Sequence, residues 1–135
     1  MPKATIVIPT YNRSKLIQER ALKSALAQDF VDYEILIIDH GSTDDTEIRL
    51  NKYLHFPYSK VRYIKIPQNS GIVSTARNLG AREAKGEYLV FLDDDNELSP
   101  HFLSKTIACM ESCGEDISAI TSGRVVKHKD YEDYA

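Results

Sequence analysis

This sequence predicts an α/β fold, a mostly parallel sheet with helices on both faces, from three observations. Short apolar runs and helical patterns alternate four times along the chain, and such alternation gives a parallel sheet with right-handed crossovers. The runs Ala4 to Pro9 and Glu34 to Asp39 are rich in branched aliphatic residues, the composition of strands buried on both faces. Two strands end on acids, Asp39 and Asp93, which puts both carboxylates on the sheet edge where open α/β folds bind ligands.

The elements follow in order. Ala4 to Pro9 reads as a central strand ended by proline, and Thr10-Tyr11-Asn12-Arg13 as the loop after it. Ser14 is placed to cap a helix reaching Gln28, with Ile17, Ala21 and Ala25 on one face beside Leu22 and Leu26. After the second strand, His40 to Thr46 turns the chain into a helix carrying Leu50, Tyr53 and Leu54. Val61 to Ile66 alternates weakly, as a strand nearer the sheet edge does. Pro67-Gln68-Asn69-Ser70-Gly71 breaks it, and a helix from Ile72 to Ala84 follows, with Ile72, Ala76 and Leu79 apolar. Gly86 to Leu92 reads as a buried strand. Ser99-Pro100 then opens a helix with Phe102, Leu103, Thr106, Ile107 and Met110 as its buried stripe, Gly114 stops it, and Ile117 to Val126 reads as one more strand. The polar stretch Lys127 to Ala135 reads as a tail or the stub of a connection.

With 135 residues, 42% of them hydrophobic and 27% charged, the chain has the composition of one soluble globular domain. A net charge of -3 gives no general attraction to nucleic acid or an anionic membrane. No apolar run approaches the ~20 residues of a membrane span, and Met1-Pro2-Lys3 leads directly into a strand without a signal peptide. A cytoplasmic location, or one at the cytoplasmic face of a membrane, is therefore expected. Cys109 and Cys113, four apart in a helical pattern, read as reduced thiols.

The chemistry concentrates in Asp93-Asp94-Asp95, directly after the apolar strand. Adjacent carboxylates repel one another, which raises their pKa values and lowers stability unless a cation or donors neutralise them. Asp93 and Asp95, one residue apart, can converge on a hard divalent ion, and Mg²⁺ or Mn²⁺ keep positions open for phosphate oxygens. The plainer reading is a solvated acidic turn capping the next helix. Neither G-x-G-x-x-G nor G-x-x-x-x-G-K-[ST] occurs, so phosphates would have to be held through the metal rather than by a glycine loop.

Four stretches together carry a resemblance: Ile8-Pro9-Thr10-Tyr11-Asn12-Arg13, Ile38-Asp39-His40-Gly41-Ser42-Thr43-Asp44, Gly71 with Ala76-Arg77-Asn78, and Gly86-Glu87-Tyr88 with Phe91 to Asp95. In order and spacing they resemble the family 2 glycosyltransferases of the GT-A fold. The resemblance implies an inverting transferase that takes a nucleotide-diphospho-sugar donor and a saccharide or lipid-linked acceptor. The match runs from about Lys3 to Pro100, and with the polar composition of the end the chain is expected to divide into residues 1–126 as the donor-binding domain and 127–135 as a polar tail. The resemblance also implies Asp93 and Asp95 as the metal pair, Asp94 near the ribose, Pro9 and Tyr11 walling the base, Asp39 beside the nucleoside, and Arg77 reaching the nucleotide. His40 stands where the family usually has a second acid, and this motivates an altered base preference. A neutral imidazole can both donate to and accept from a base edge. The family's general base comes later in its chains and finds no candidate here, so this chain is expected to bind donor and metal but to turn over poorly alone.

Three alternatives stand beside this reading. A sugar-phosphate nucleotidyltransferase would want a glycine- and arginine-rich loop after the first strand. A receiver-like domain would accept phosphate on Asp39. A non-catalytic nucleotide-binding module would share the binding residues and differ only in turnover.

Overall fold

The computed structural model describes residues 1–55, 57–58 and 60–121, together with the backbone of Val125–Lys127 and Glu132–Tyr134. It forms two compact units, Met1–Ser104 and Lys105–Ala135.

The first unit holds a four-stranded sheet of β1 (Ala4–Thr10), β2 (Tyr33–His40), β3 (Val61–Ile66) and β4 (Tyr88–Phe91), in the order β3-β2-β1-β4. Every pairing is parallel, from Ala4 opposite Tyr33 to Thr10 opposite Asp39 and from Ala4 opposite Tyr88 to Val7 opposite Phe91. Between β1 and β2 runs one helical stretch, α1 (Ser14–Ile17), a π turn (Gln18–Leu22) and α2 (Lys23–Leu26). After β2 come α3 (Thr46–Leu50) and a 3₁₀ turn (Asn51–Leu54), and α4 (Ser74–Glu83) precedes β4.

Alternation of side chains along the strands explains why both faces must be covered. Val7, Leu36 and Ile38 point to one face and form a core with Ala76 of α4, joined by Ile64, Ile66 and Leu79. There α4 packs so closely on the sheet's side chains that a Cβ on Gly80 would lie 2.3 Å from Val7 Cγ1. On the opposite face Ile6, Ile8, Ile35 and Ile37 are fully buried, as are Ile17, Ala21, Leu22 and Ala25 of the first helical stretch. Tyr33, on the same face as Ile35, donates its hydroxyl to the Ala25 carbonyl at 2.8 Å, which fixes α2 to that side.

Three local expectations are corrected. Ser14 opens α1 but does not cap it; its hydroxyl donates instead to Asp45 Oδ1 at 2.7 Å and ties the helix start to the turn before α3. Ile72 precedes α4 and is 60% exposed, because the helix begins only at Ser74. β4 is an edge strand of the described sheet, so Leu89 and Phe91 are exposed although the run reads as buried.

In the second unit β5 (Val125–Lys127) and β6 (Glu132–Tyr134) pair antiparallel. Residues 117–121 of the expected last strand are not in strand conformation, and residues 122–124 lie outside the described residues. Of the expected polar tail, residues 128–131 and 135 also lie outside them. α5 (Phe102–Ser112) starts close to the expected Pro100, and Cys109 and Cys113 are free thiols.

At the sheet edge away from the strand carboxyl ends, Glu34 gathers Arg62 Nε at 2.8 Å, Arg62 Nη2 at 3.1 Å, Thr5 Oγ1 at 2.8 Å and the Lys85 amide at 2.8 Å. Burial by itself would raise the Glu34 pKa, but the bonds from Arg62, Lys85 and Thr5 outweigh it and hold the carboxyl below its ordinary value. A depressed carboxyl contributes stability above its unfolded pKa and loses it as pH falls through the folded one. Replacing Glu34 by Gln is expected to cost about 2 kcal/mol at neutral pH. In chemical denaturation across pH 3 to 7, the variant's deficit should shrink below pH ~4.

Candidate functional site

Because β2, β1 and β4 are adjacent and parallel, the segments leaving their carboxyl ends lie side by side. Together with the segment before α4 they enclose an open cleft of about 400 Å³. Its lining combines Pro9, Thr10, Tyr11 and Arg13 after β1, His40 at the end of β2, Asn69 to Val73 except Ser70, Ala76 and Arg77 on α4, and Asp93, Asp94 and Asp95 after β4.

Local chemistry fixes each loop. Asn12 has φ +50°, a left-handed conformation that asparagine adopts more readily than most residues. Its amide donates to Ser42 Oγ at 2.9 Å, and its Oδ1 accepts the Thr43 amide at 2.7 Å and the Asp44 amide at 3.2 Å. The loops after β1 and β2 are thereby laced together. Asp39 lies beneath this lacing, fully buried, with Oδ1 accepting the Ser42 amide at 2.8 Å and Oδ2 accepting the Tyr63 hydroxyl. Burial first, and then the Asp39 carboxylate, drive the Tyr63 hydroxyl pKa far up, so the phenol stays a donor.

The acidic triplet turns tightly, the Asn96 amide donating to the Asp93 carbonyl at 3.1 Å. Asp94 points inward and is buried, accepting Thr10 Oγ1 at 2.9 Å and Arg13 Nη1 at 3.0 Å. Burial raises its pKa; Thr10 and Arg13 oppose the rise, and the neighbouring Asp95 adds to it. The Asp93 and Asp95 side chains are half exposed on the cleft. Asp93 pairs with Arg77 Nη2, and Asp95 Oδ2 lies 3.6 Å from Arg13 Nη1. Two guanidiniums thus supply the positive charge that three clustered carboxylates require.

Of the residues singled out in the sequence, Pro9, Tyr11, His40, Arg77, Asp93, Asp94 and Asp95 share the cleft, whereas Asp39 is not among its lining residues. Thr10 and Arg13, given no role from the sequence, also line the cleft and bind its acids. The signal for Arg13 is its place next to an asparagine in a strand-end loop, facing an acidic triplet that needs a counter-charge. As a metal centre the triplet is sparse: among the described residues no three His, Cys, Asp or Glu side chains surround one point. Two half-exposed oxygen donors on an open cleft nonetheless fit Mg²⁺ or Mn²⁺, hard ions that complete their shells with water and phosphate oxygens.

The family model described as glycosyl transferase family 2 matches residues 5–132. The chain belongs to this family. It is 38% identical over 104 residues to a GalNAc(5)-diNAcBac-PP-undecaprenol beta-1,3-glucosyltransferase of Campylobacter jejuni, a match covering 77% of this chain and 33% of the relative. It superposes on the crystal structure of S. aureus TarS 1–349 in complex with UDP-GlcNAc with a TM-score of 0.74 and 31% identity, covering 81% of this chain and 31% of that one. A mannosyltransferase from Pyrobaculum calidifontis in complex with GDP-Man and Mn²⁺ gives a TM-score of 0.70 at 27% identity, covering 78% of this chain and 31% of that one. The parallel sheet expected from the sequence is the GT-A fold of these neighbours. The chain spans about a third or less of the length of these relatives. Among the described residues no helix is long and apolar enough to cross a membrane.

Proposed function

We propose that this chain is the donor-binding part of an inverting, divalent-metal-dependent glycosyltransferase that uses a nucleotide-diphospho-sugar. The observation that carries the reading is the meeting, in one cleft of a family 2 fold, of two half-exposed carboxylates with an exposed aromatic ring and a guanidinium. Asp93 and Asp95 would hold Mn²⁺ or Mg²⁺, which when bound stabilises negative charge on a diphosphate leaving group. Tyr11, 43% exposed at the mouth of the loop after β1, offers its ring for base stacking beside Pro9. Asp94, anchored by Thr10 and Arg13, would meet a ribose hydroxyl of the donor. Arg77 is placed to exchange its Asp93 partner for a phosphate oxygen, since guanidinium pairs well with either. Asp39 would act indirectly, by holding the Gly41-Ser42 turn. In this reading residues 1–126 bind the donor, residues 127–135 lead toward the acceptor-binding part, and the acceptor is a saccharide or a lipid-linked sugar at the cytoplasmic face of a membrane.

Calorimetric titration of UDP, GDP, ADP and CDP in the presence of Mn²⁺ tests the reading. Binding of at least one nucleotide is expected, with weaker discrimination among bases than a strict uracil site gives; failure of all four rejects the nucleotide assignment. Tyr11→Ala should weaken the best of them by about 5- to 100-fold, the range for losing one base stack of ~1–3 kcal/mol. An unchanged affinity would remove Tyr11 from the base site.

A further inference from the structure

We infer that His40 is a positioning residue that latches the 68–71 loop, and through it the start of α4, as one wall of the cleft, rather than a reader of the base edge. The inference rests on reading the cleft as a nucleotide site. His40 is only 6% exposed, and its Nε2 accepts the Ser70 amide at 3.1 Å while lying 2.9 Å from Ser70 Oγ. An amide can only donate, so the lone pair is on Nε2, the ring proton is on Nδ1 and the ring is neutral. The ring's acceptor nitrogen is therefore already engaged by the loop.

The latch continues into α4. Ser70 Oγ accepts the Ile72 amide at 3.2 Å and hydrogen-bonds with Thr75 Oγ1 at 3.0 Å, in the first turn of the helix that carries Ala76 and Arg77. Next to His40 the loop backbone presses on Gly41, where a Cβ would come within 2.4 Å of the Asn69 nitrogen. Two consecutive residues at the end of β2 thus grip this loop. An acid at position 40 could also accept the Ser70 amide; a neutral imidazole makes the same bond without adding a negative charge one residue from the buried Asp39.

Amide hydrogen exchange on the full chain, combined with UDP and GDP titrations in Mn²⁺, tests the latch. His40→Ala should speed exchange at Ser70 and Gly71 and weaken UDP and GDP alike by about tenfold, the worth of one buried hydrogen bond left unmade. His40→Asn, whose Oδ1 can still accept the Ser70 amide, should restore both protection and affinity. Ser70→Ala removes the hydroxyl side of the same contact and should give a partial loss, which also serves should His40→Ala not fold. Unchanged exchange in the alanine variants overturns the latch, as does a change in base ranking on His40→Asn, which would mark direct reading of the base. If the unaltered chain takes up neither nucleotide, the nucleotide assignment fails while the exchange comparison still decides the latch.

Discussion

Replacing Asp93 and Asp95 together by Asn is expected to abolish the Mn²⁺-dependent part of nucleotide affinity, a loss of at least about 100-fold, because removing even outer-shell partners of metal sites costs 10- to 100-fold. Both carboxylates face the cleft, half exposed. Stability should barely move in metal-free buffer, since the pairs they make with Arg77 and Arg13 are partly solvated and such pairs are worth about 0–1 kcal/mol. That separation is the informative part. If the double variant lost its fold along with its affinity, the triplet would be a structural ion-pair cluster. If it kept both, the acids would be surface charge.

The largest expected loss of stability comes from Gly41→Ala. Gly41 has φ +77°, and a Cβ there would meet backbone atoms at 2.4 Å from Asn69 N and 2.6 Å from Gln68 C. Left-handed backbone costs an alanine roughly 1–2 kcal/mol, and overpacking against rigid backbone typically adds 1–3, so about 3 kcal/mol is expected. For a chain of this size that lowers the thermal midpoint by about 10 °C. Gly71→Ala is the control. Its φ is +75°, but nothing lies within 4 Å of the added carbon, so only the conformational cost of about 1 kcal/mol remains. Equal losses at the two glycines would show that close approach at Gly41 is unimportant, and with it the grip of the β2 end on the 68–71 loop.

The central strands were legible because residues buried on both faces leave unbroken aliphatic runs, as at Ile6 to Ile8 and Ile35 to Ile38. β4 misled for the same reason: an edge strand can carry an equally apolar run, and only the sheet order reveals that Leu89 and Phe91 lie on an uncovered edge. The gathering of Tyr11, Arg77 and the acids was legible because parallel strands bring the segments after them to one edge. The partners within the cleft were not. Which guanidinium meets which carboxylate depends on loop paths set by long-range bonds, such as that from the Asn12 amide to Ser42, and no spacing rule encodes them. Asp39 illustrates the limit most clearly. Strand-end position identified it, but its carboxylate is taken up by Ser42 and Tyr63 and does not line the cleft.

The most direct measurement is a calorimetric titration of UDP into the unaltered chain, once with Mn²⁺ and once with EDTA. Affinity should fall at least about 100-fold when the metal is withdrawn, because on this account the diphosphate would be held chiefly through an ion at Asp93 and Asp95. Equal affinity in both buffers would contradict the account, leaving these acids without a role in holding the nucleotide.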